Sequence, residues 1–216
     1  MKKLAIFDLD GTLLDTLEDL KNSVNYALGA NGLPVRSLDE VRRFVGNGIR
    51  LLIERAVPQG TAAELTDAVF ADFKAHYSAH SMDNTAPYAG IAELLRELKG
   101  EGRLLGVVSN KADAPAKALI RHYFPDTFDS VVGEREGVRK KPAPDSVLET
   151  MSELGCRAED CVYIGDSDVD FMTAKNAGCD CILVSWGFRS REQLDTLGAD
   201  KIADSVDVLV KMLLPC

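Results

Sequence analysis

The sequence predicts an α/β protein with a mostly parallel, doubly wound sheet and a helical domain inserted after the first strand. Three observations favour this fold. From residue 91 onward, short apolar runs alternate with segments of helical period. That alternation is typical of parallel sheets with right-handed crossovers. Residues 16 to 84, in contrast, carry helical patterning without a convincing strand, and 216 residues are enough for a core domain and a smaller insert.

The predicted core alternates strands with helices. Apolar runs rich in β-branched residues predict strands at residues 4–7, 104–108, 130–132, 161–164 and 181–184. Apolar residues at helical spacing predict helices at 91–99, 114–122, 146–154, 169–177 and 205–214. We therefore expect residues 1–15 and 85–216 to form a Rossmann-like core domain.

The insert, residues 16–84, is predicted to be a separate helical domain. Its helix starts are marked by pairs with capping-box spacing, which are Thr16 with Asp19, Ser37 with Glu40, and Thr61 with Glu64. The insert leaves the core after the first strand and returns near Pro87. We expect it to act as a lid over the ligand-binding edge of the sheet, and a packing extension is the alternative.

The composition excludes several classes of partner. The formal charge is -9, and no basic stripe offsets it, which disfavours nucleic acid and anionic membranes. No run approaches the roughly 18 apolar residues that a membrane span requires. The five cysteines are odd in number and lack C-x-x-C spacing, which indicates reduced thiols. We expect a cytoplasmic protein.

Acidic residues follow two of the predicted strands. Asp8 and Asp10 stand in DLDGT after the first strand, and Asp166 and Asp170 stand in GDSDVD after the strand at 161–164. The carboxyl ends of parallel strands meet at the edge where doubly wound sheets bind ligands. Acids so close do not ionise together without a cation or shared protons, and oxygen ligands favour Mg²⁺ over zinc. A simple turn is the alternative for DLDGT.

Polar residues follow a third predicted strand and precede a helix. Ser109 and Asn110 end the run at 104–108, where a helix N-terminus suits an anion such as phosphate, and helix capping is the alternative. Lys141 stands in KKPAPD, where prolines stiffen the backbone and can direct a lysine toward the ligand-binding edge. A solvated charge pair is the alternative for that lysine.

Taken together, these segments resemble the four motifs of the haloacid dehalogenase superfamily. DLDGT, VVSN ending at Ser109 and Asn110, KPAPD from Lys141, and GDSDVD at 165–170 occur in the family order and span essentially the whole chain. The position of the insert resembles the subgroup with a helical cap between the first and second motifs. VGNG at 45–48, the segment 54–56 and the tail at 198–205 resemble phosphoglycolate phosphatases.

The resemblance implies a catalytic role for each motif. Asp8 would be the nucleophile that forms an aspartyl-phosphate, and Asp10 the general acid and then the base. Ser109, Asn110 and Lys141 would hold the phosphoryl group. Expulsion of an alkoxide from phosphorus needs a proton donor whereas displacement of halide from carbon does not, so Asp10 favours a phosphatase over a dehalogenase.

The resemblance also implies a metal and a substrate. Mg²⁺ would bind Asp8, the main-chain carbonyl of Asp10 and Asp166, with Asp170 supporting these ligands. The substrate would be a small phosphorylated metabolite, with 2-phosphoglycolate favoured, and the protein a monomer or homodimer. For the substrate carboxylate we expect Asn47 and Arg50 of the insert, and a salt bridge along a helix is the alternative for Arg50.

Three other functions remain open at this point. A sugar phosphomutase similar to β-phosphoglucomutase shares the core and the cap class, and a pyrophosphatase belongs to the same chemistry. A phospho-acceptor switch similar to a receiver domain also uses an aspartate on a doubly wound sheet. The switch is disfavoured by Asp10, because a base at this position hastens hydrolysis of the acyl phosphate.

Overall fold

The computed structural model describes residues 2–214 and divides the chain into two compact units. Unit 1 comprises Met1–Leu14 and Pro87–Cys216, and unit 2 comprises Asp15–Ala86. The chain passes between the units at two short strands, which pair with each other as a two-stranded sheet.

The elements follow one another along the chain as two groups. The first part of the chain contains β1 (Leu4–Phe7), β2 (Leu14–Asp15), α1 (Leu17–Ala30), α2 (Leu38–Phe44), α3 (Ile49–Ala56), α4 (Ala63–His80) and β3 (Ala86–Pro87). The remainder contains α5 (Ile91–Gly100), β4 (Leu104–Ala112), α6 (Asp113–Tyr123), β5 (Ser130–Glu134), α7 (Asp145–Glu153), β6 (Cys161–Gly165), α8 (Asp168–Ala177), β7 (Asp180–Val184), α9 (Arg191–Asp195), β8 (Ile202–Ala203) and α10 (Val206–Leu213).

Unit 1 is built on a six-stranded parallel sheet with the order β5-β4-β1-β6-β7-β8. The predicted doubly wound α/β fold is therefore confirmed. Leu4 of β1 is in register with Leu104 of β4 and with Cys161 of β6. Because the three strands are parallel and in register, their carboxyl ends meet at one edge of the sheet.

The central strand β1 is buried on both faces. Ala5 and Phe7 belong to one apolar cluster, and Leu4 and Ile6 belong to a second cluster. Successive side chains of a strand point to opposite faces, so the two clusters cover the two sides of the sheet. This double cover explains why β1 reads as a continuous apolar run and not as an alternating one.

Two features of the sheet differ from the predicted strands. β4 continues to Ala112, four residues beyond the predicted end at residue 108, and its pairing with β5 shifts register between Val108 and Ala112. β8 (Ile202–Ala203) was not predicted, because two residues are too few to show a period.

Unit 2 contains the four helices α1–α4. Polar contacts join α1 to α4: the Ser23 hydroxyl lies 3.0 Å from His76 Nδ1, and Asn31 Nδ2 donates to Asp72 Oδ2 at 2.7 Å. The capping box predicted at Ser37 is present at the start of α2.

The other two predicted capping boxes of unit 2 are wrong. Thr16 precedes α1, but its hydroxyl is buried without a hydrogen-bond partner, and the paired Asp19 binds elsewhere. α4 begins at Ala63 with Ala62 as its N-cap, while the Thr61 hydroxyl donates to the carbonyl of Pro58. The carbonyl of Pro58 competes for the Thr61 hydroxyl, and donors at the end of unit 2 compete for the Asp19 carboxylate.

Asp19 instead joins the start of unit 2 to its end. Its carboxylate is 2% exposed and accepts from the main-chain N–H of Asn84 (2.9 and 3.0 Å) and of Thr85 (2.8 Å). It also accepts from Asn84 Nδ2 and the Thr85 hydroxyl, both at 2.8 Å. Burial alone would raise the pKa of Asp19, but these hydrogen bonds outweigh burial and hold the pKa below its usual value.

Two further expectations from the sequence concern reduced cysteines and membrane-spanning segments. Cys156, Cys161, Cys179 and Cys181 are free and belong to the second apolar cluster or pack against it, while Cys216 lies outside the described residues. Within residues 2–214, no helix has the length and apolar character needed to cross a membrane.

Candidate active site

Asp8 stands at the end of β1, where the main chain turns sharply. Its main-chain N–H continues the sheet by donating to the Ile164 carbonyl at 2.8 Å, and its carboxylate accepts from the N–H of Leu9 at 2.7 Å. Gly11 follows with a φ of +86°. A Cβ at Gly11 would lie 2.6 Å from Asp166 Oδ2, so glycine is needed both for the conformation and for the close approach of Asp166.

Lys141 lies between two of the acids. Its ammonium is 2.9 Å from Asp8 Oδ1 and 2.7 Å from Asp170 Oδ1, and it donates to the Tyr163 hydroxyl at 3.0 Å. The Lys141 side chain is only 3% exposed. Burial alone would lower the pKa of the ammonium, but the carboxylates of Asp170 and Asp8 outweigh burial and hold the pKa above its usual value. Lys141 is therefore a fixed positive charge.

Asn110 holds the main chain of Lys141 in place. The Asn110 amide group donates to the Lys141 carbonyl at 3.1 Å and accepts from the Lys141 N–H at 2.9 Å. Ser109 precedes it and is also buried, and its hydroxyl accepts from the N–H of Lys111 at 3.2 Å. The residues at the end of β4 thus lie beside the buried lysine.

Asp166 and Asp170 are placed by the turn from β6 into α8. Ser167 is the N-cap of α8 and forms a capping box with Asp170, whose Oδ2 accepts from the Ser167 hydroxyl at 2.6 Å. Asp166 accepts from the N–H of Phe188 at 2.7 Å and from the Thr12 hydroxyl at 3.3 Å. Because Asp170 belongs to the first turn of the helix, its carboxylate points back toward the strand end.

Oxygen atoms of Asp8, Asp166 and Asp170 all lie within 4.8 Å of one another. Burial, opposed by Lys141, raises the pKa of Asp8 to about 7. Burial and the charges of Asp170 and Asp8 hold the pKa of Asp166 well above its usual range. Three buried carboxylates face one lysine, so the cluster lacks positive charge. A hard divalent cation such as Mg²⁺ fits this set of oxygen donors.

Asp10 lies outside this carboxylate cluster and forms an ion pair with a different lysine, Lys111. Its two carboxylate oxygens are 3.0 and 3.2 Å from the ammonium of Lys111, whose side chain is 5% exposed. The sequence reasoning expected the neighbouring acids Asp8 and Asp10 to need a metal or a shared proton. In the structure, each of the two is also paired with a separate buried lysine.

Lys111 and Gly187 are site residues that the sequence reasoning missed. Lys111 directly follows Ser109 and Asn110, and that adjacency is the only sequence signal for it. Gly187 lies beyond β7, where an added Cβ would approach the Cβ of Asp166 to 2.4 Å. The preceding Trp186 donates from Nε1 to the Thr12 carbonyl at 3.2 Å, which joins this loop to the turn after β1.

Asn47 and Arg50 belong to unit 2 and have partners there. Arg50 forms ion pairs with Glu54 (2.8 Å) and Asp67 (2.6 Å), and Asn47 Oδ1 accepts from Arg55 at 3.0 Å. The salt bridge along the helix, which was the alternative for Arg50, is present in the structure.

Comparisons with known proteins find relatives that cover most of the chain. A family model described as haloacid dehalogenase-like hydrolase matches residues 5–184. The phosphoglycolate phosphatase of Rhodospirillum rubrum is 36% identical, covering 94% of this chain and 88% of its own. That of Caulobacter vibrioides is 37% identical, covering 92% of this chain and 85% of its own.

Solved structures show the same fold over nearly the whole chain. A crystal structure from Lactobacillus delbrueckii subsp. bulgaricus matches with a TM-score of 0.95 and 35% identity, covering 100% of both chains. CbbY from Rhodobacter sphaeroides in complex with phosphate matches with a TM-score of 0.74 and 28% identity, covering 95% of both chains.

Proposed function

The chain belongs to the haloacid dehalogenase-like hydrolase family and is a phosphoric monoester hydrolase, and we propose that it hydrolyses 2-phosphoglycolate through an aspartyl-phosphate on Asp8. The observation that carries the mechanism is the buried cluster of Asp8, Asp166 and Asp170, in which Lys141 contacts both Asp8 and Asp170. The names of the curated relatives support the choice of substrate.

Two acids perform the two half-reactions. In the first, a carboxylate oxygen of Asp8 forms a bond to phosphorus while the bond to the ester oxygen breaks, and Asp10 gives its proton to that oxygen. In the second, Asp10 takes a proton from water as the water oxygen attacks phosphorus, which frees Asp8 and releases phosphate. Water is the co-reactant, and both acids return to their starting protonation states.

The electrostatics explain why these acids need cations. An ionised Asp8 and a phosphate oxygen at about 3 Å repel each other by roughly 5 kcal/mol at an effective dielectric constant of about 20. Lys141 offsets part of this repulsion from its fixed position, and Ser109 and Asn110 add polar contacts at the phosphoryl group. Because these groups are already buried and oriented, little reorganisation is needed when charge shifts during the reaction.

Mg²⁺ is the proposed cofactor. The side chains of Asp8 and Asp166 and the main-chain carbonyl of Asp10 would hold it, and Asp170 would support these ligands through its capping box. When bound, it supplies the positive charge that draws the phosphate oxygens toward Asp8.

We assign the two parts of the chain different roles. Residues 1–15 and 85–216 form the catalytic core domain, and residues 16–84 act as a helical cap that takes part in substrate selection. Asn47 and Arg50 are the cap residues whose role needs testing, and an unchanged kcat/KM for 2-phosphoglycolate in Arg50→Ala removes Arg50 from the site. The free thiols and the acidic charge favour a cytoplasmic location.

Phosphate release from 2-phosphoglycolate tests the proposed function. We expect release with Mg²⁺, loss of release with EDTA, and no turnover in Asp8→Asn. Asp168→Asn, a change of the exposed acid in the same GDSDVD segment, is the matched control and retains activity. Substantial turnover by Asp8→Asn contradicts the mechanism. A stable aspartyl-phosphate without phosphate release indicates a phospho-acceptor switch, and isomerisation of a sugar phosphate without net release indicates a mutase.

A further inference from the structure

We propose that Lys111 binds the carboxylate of the substrate and thereby selects phosphate esters that carry a carboxylate beside the ester oxygen. This inference rests on the proposed function, since it concerns the same site. It assigns to the core a selective contact that the sequence analysis placed in the insert.

The irregular end of β4 brings Lys111 into the site. In a regular strand, neighbouring side chains point to opposite faces, so Asn110 and Lys111 would diverge. The register shift between Val108 and Ala112 changes this arrangement. Asn110 holds the main chain of Lys141, and the ammonium of Lys111 reaches both carboxylate oxygens of Asp10. Two adjacent residues therefore serve the same edge of the sheet.

Lys141 is assigned to the phosphoryl group, and its ammonium already contacts Asp8, Asp170 and the Tyr163 hydroxyl. Within residues 2–214, Lys111 is the other buried lysine.

The shape of the substrate places its carboxylate near Lys111. In 2-phosphoglycolate, a single CH₂ group separates the ester oxygen from the carboxylate. Asp10 is the acid that serves the ester oxygen, and Lys111 is the cation in contact with Asp10. A carboxylate one carbon away from that oxygen therefore lies beside the partner of Asp10. A longer spacer would carry the negative charge past it.

The structure already contains the same kind of contact. Lys141 joins two carboxylates at 2.9 and 2.7 Å while almost fully buried. Lys111 would do the same, with Asp10 as one carboxylate and the substrate as the other. Once Asp10 has given its proton to the ester oxygen, its negative charge and that of the carboxylate would repel each other in a buried site without such a cation. An ester that lacks the carboxylate does not need Lys111 in this role.

The variant Lys111→Met distinguishes two roles for Lys111. Binding of the substrate carboxylate affects only esters that carry one, whereas an effect through Asp10 alters the hydrolysis of every ester. We measure kcat/KM for 2-phosphoglycolate and for 2-hydroxyethyl phosphate, which has the same length and no carboxylate. The expected loss is about 10–100-fold larger for 2-phosphoglycolate, as for loss of a charge-assisted contact. Lys111→Arg recovers part of the difference. Lys117→Met, which removes an exposed lysine of α6, is the control and changes neither value.

A binding measurement gives a second readout. In the Asp8→Asn background, calorimetric titration should show that Lys111→Met weakens binding of 2-phosphoglycolate more than binding of 2-hydroxyethyl phosphate. Equal losses for the two esters, or no loss, overturn the inference and leave the proposed function intact. If the unchanged protein hydrolyses 2-hydroxyethyl phosphate but not 2-phosphoglycolate, both the proposed substrate and the role of Lys111 are wrong. Hydrolysis of neither ester overturns the proposed function itself.

Discussion

Replacement of Asp19 by asparagine is expected to lower the free energy of unfolding by about 1–2 kcal/mol at neutral pH. Asp19 joins the beginning of unit 2 to its end through four donors, which are the N–H and side-chain amide of Asn84 and the N–H and hydroxyl of Thr85. Asparagine has nearly the same shape, so packing stays the same while the negative charge is lost.

The size of the effect follows from what each substitution leaves behind. In Asp19→Asn, one oxygen can still accept from Thr85, and the Asn84 amide can turn its oxygen toward the new NH₂ group. The free energy of unfolding then falls because the hydrogen bonds no longer have a charged acceptor. Hydrogen bonds to charged groups contribute about 1.5–3 kcal/mol, and neutral ones about 0.5–1.5 kcal/mol. Asp19→Ala removes the acceptor of the Asn84 N–H, which is partly buried, and of the N–H and hydroxyl of Thr85, which is buried, so we expect about 3 kcal/mol.

The same contacts predict how the effect depends on pH. The hydrogen bonds hold the pKa of Asp19 below its unfolded value, so the unfolded chain binds this proton at a higher pH than the folded chain does. The stability that Asp19 contributes is therefore fully present above the unfolded pKa of about 3.9 and is lost as pH falls through the folded pKa. The difference between the wild type and Asp19→Asn should be constant from pH 7 to 5 and shrink below pH 4.

Urea unfolding followed by circular dichroism measures these differences. Asp39→Asn, which changes an exposed acid of α2 in the same unit, is the control and should alter stability little. Equal stability of the wild type, Asp19→Asn and Asp19→Ala at pH 7 would refute the reasoning. A difference between wild type and Asp19→Asn that persists undiminished well below pH 4 would refute the assignment to charge.

Three further changes test the site and its supports, and two others, at Lys140 and Gly29, serve as controls. Lys141→Met should lower kcat by about 100-fold or more and destabilise the metal-free protein by about 3 kcal/mol, because two buried acids lose their cation, whereas Lys140→Met, at an exposed neighbour, should do neither. Tyr163→Phe should lower kcat about 3–10-fold in steady-state assays, since Lys141 loses one hydrogen-bond acceptor. Gly187→Ala should lower stability to urea by about 1–3 kcal/mol and weaken activation by Mg²⁺, since its methyl group would collide with Asp166. Gly29→Ala, in a helix with nothing within 4 Å, should raise stability by about 0.5–1 kcal/mol.

Much of the fold was predictable because the core follows periodic patterns. β1 has the predicted bounds, and the longer strands and helices of unit 1 lie within a few residues of their predicted positions. The end of β4 was not predictable, because Ser109 and Asn110 have the polar character of a loop. Their place in an irregular strand depends on pairing with β5, the next strand along the chain, which the local sequence of β4 does not show.

The acids of the site were predictable for a different reason. Parallel strands end at one edge, so residues after β1 and after β6 had to approach each other. The partners of those acids were harder to find, because Lys111 lies in the irregular part of β4, where a regular strand period gives no guide to the direction of its side chain. At Asp19 the sequence predicted a contact that does not form. Its spacing from Thr16 fits a capping box, but its carboxylate accepts hydrogen bonds from Asn84 and Thr85 instead. The lid role of the insert stays a prediction.

The position of β1 between β4 and β6 also bears on how the chain matures during translation. β1 leaves the ribosome before both of its neighbours in the sheet, which start at residues 104 and 161. At about 5–20 residues per second, the apolar strand waits about 8–30 s before the second neighbour is complete. Unit 2 is synthesised during that interval, and its helices contact one another within residues 15–86, so it can form while the nascent strand is still unpaired. During this delay a four-residue apolar strand lacks both of its sheet neighbours, and unpaired apolar strands of this kind favour aggregation.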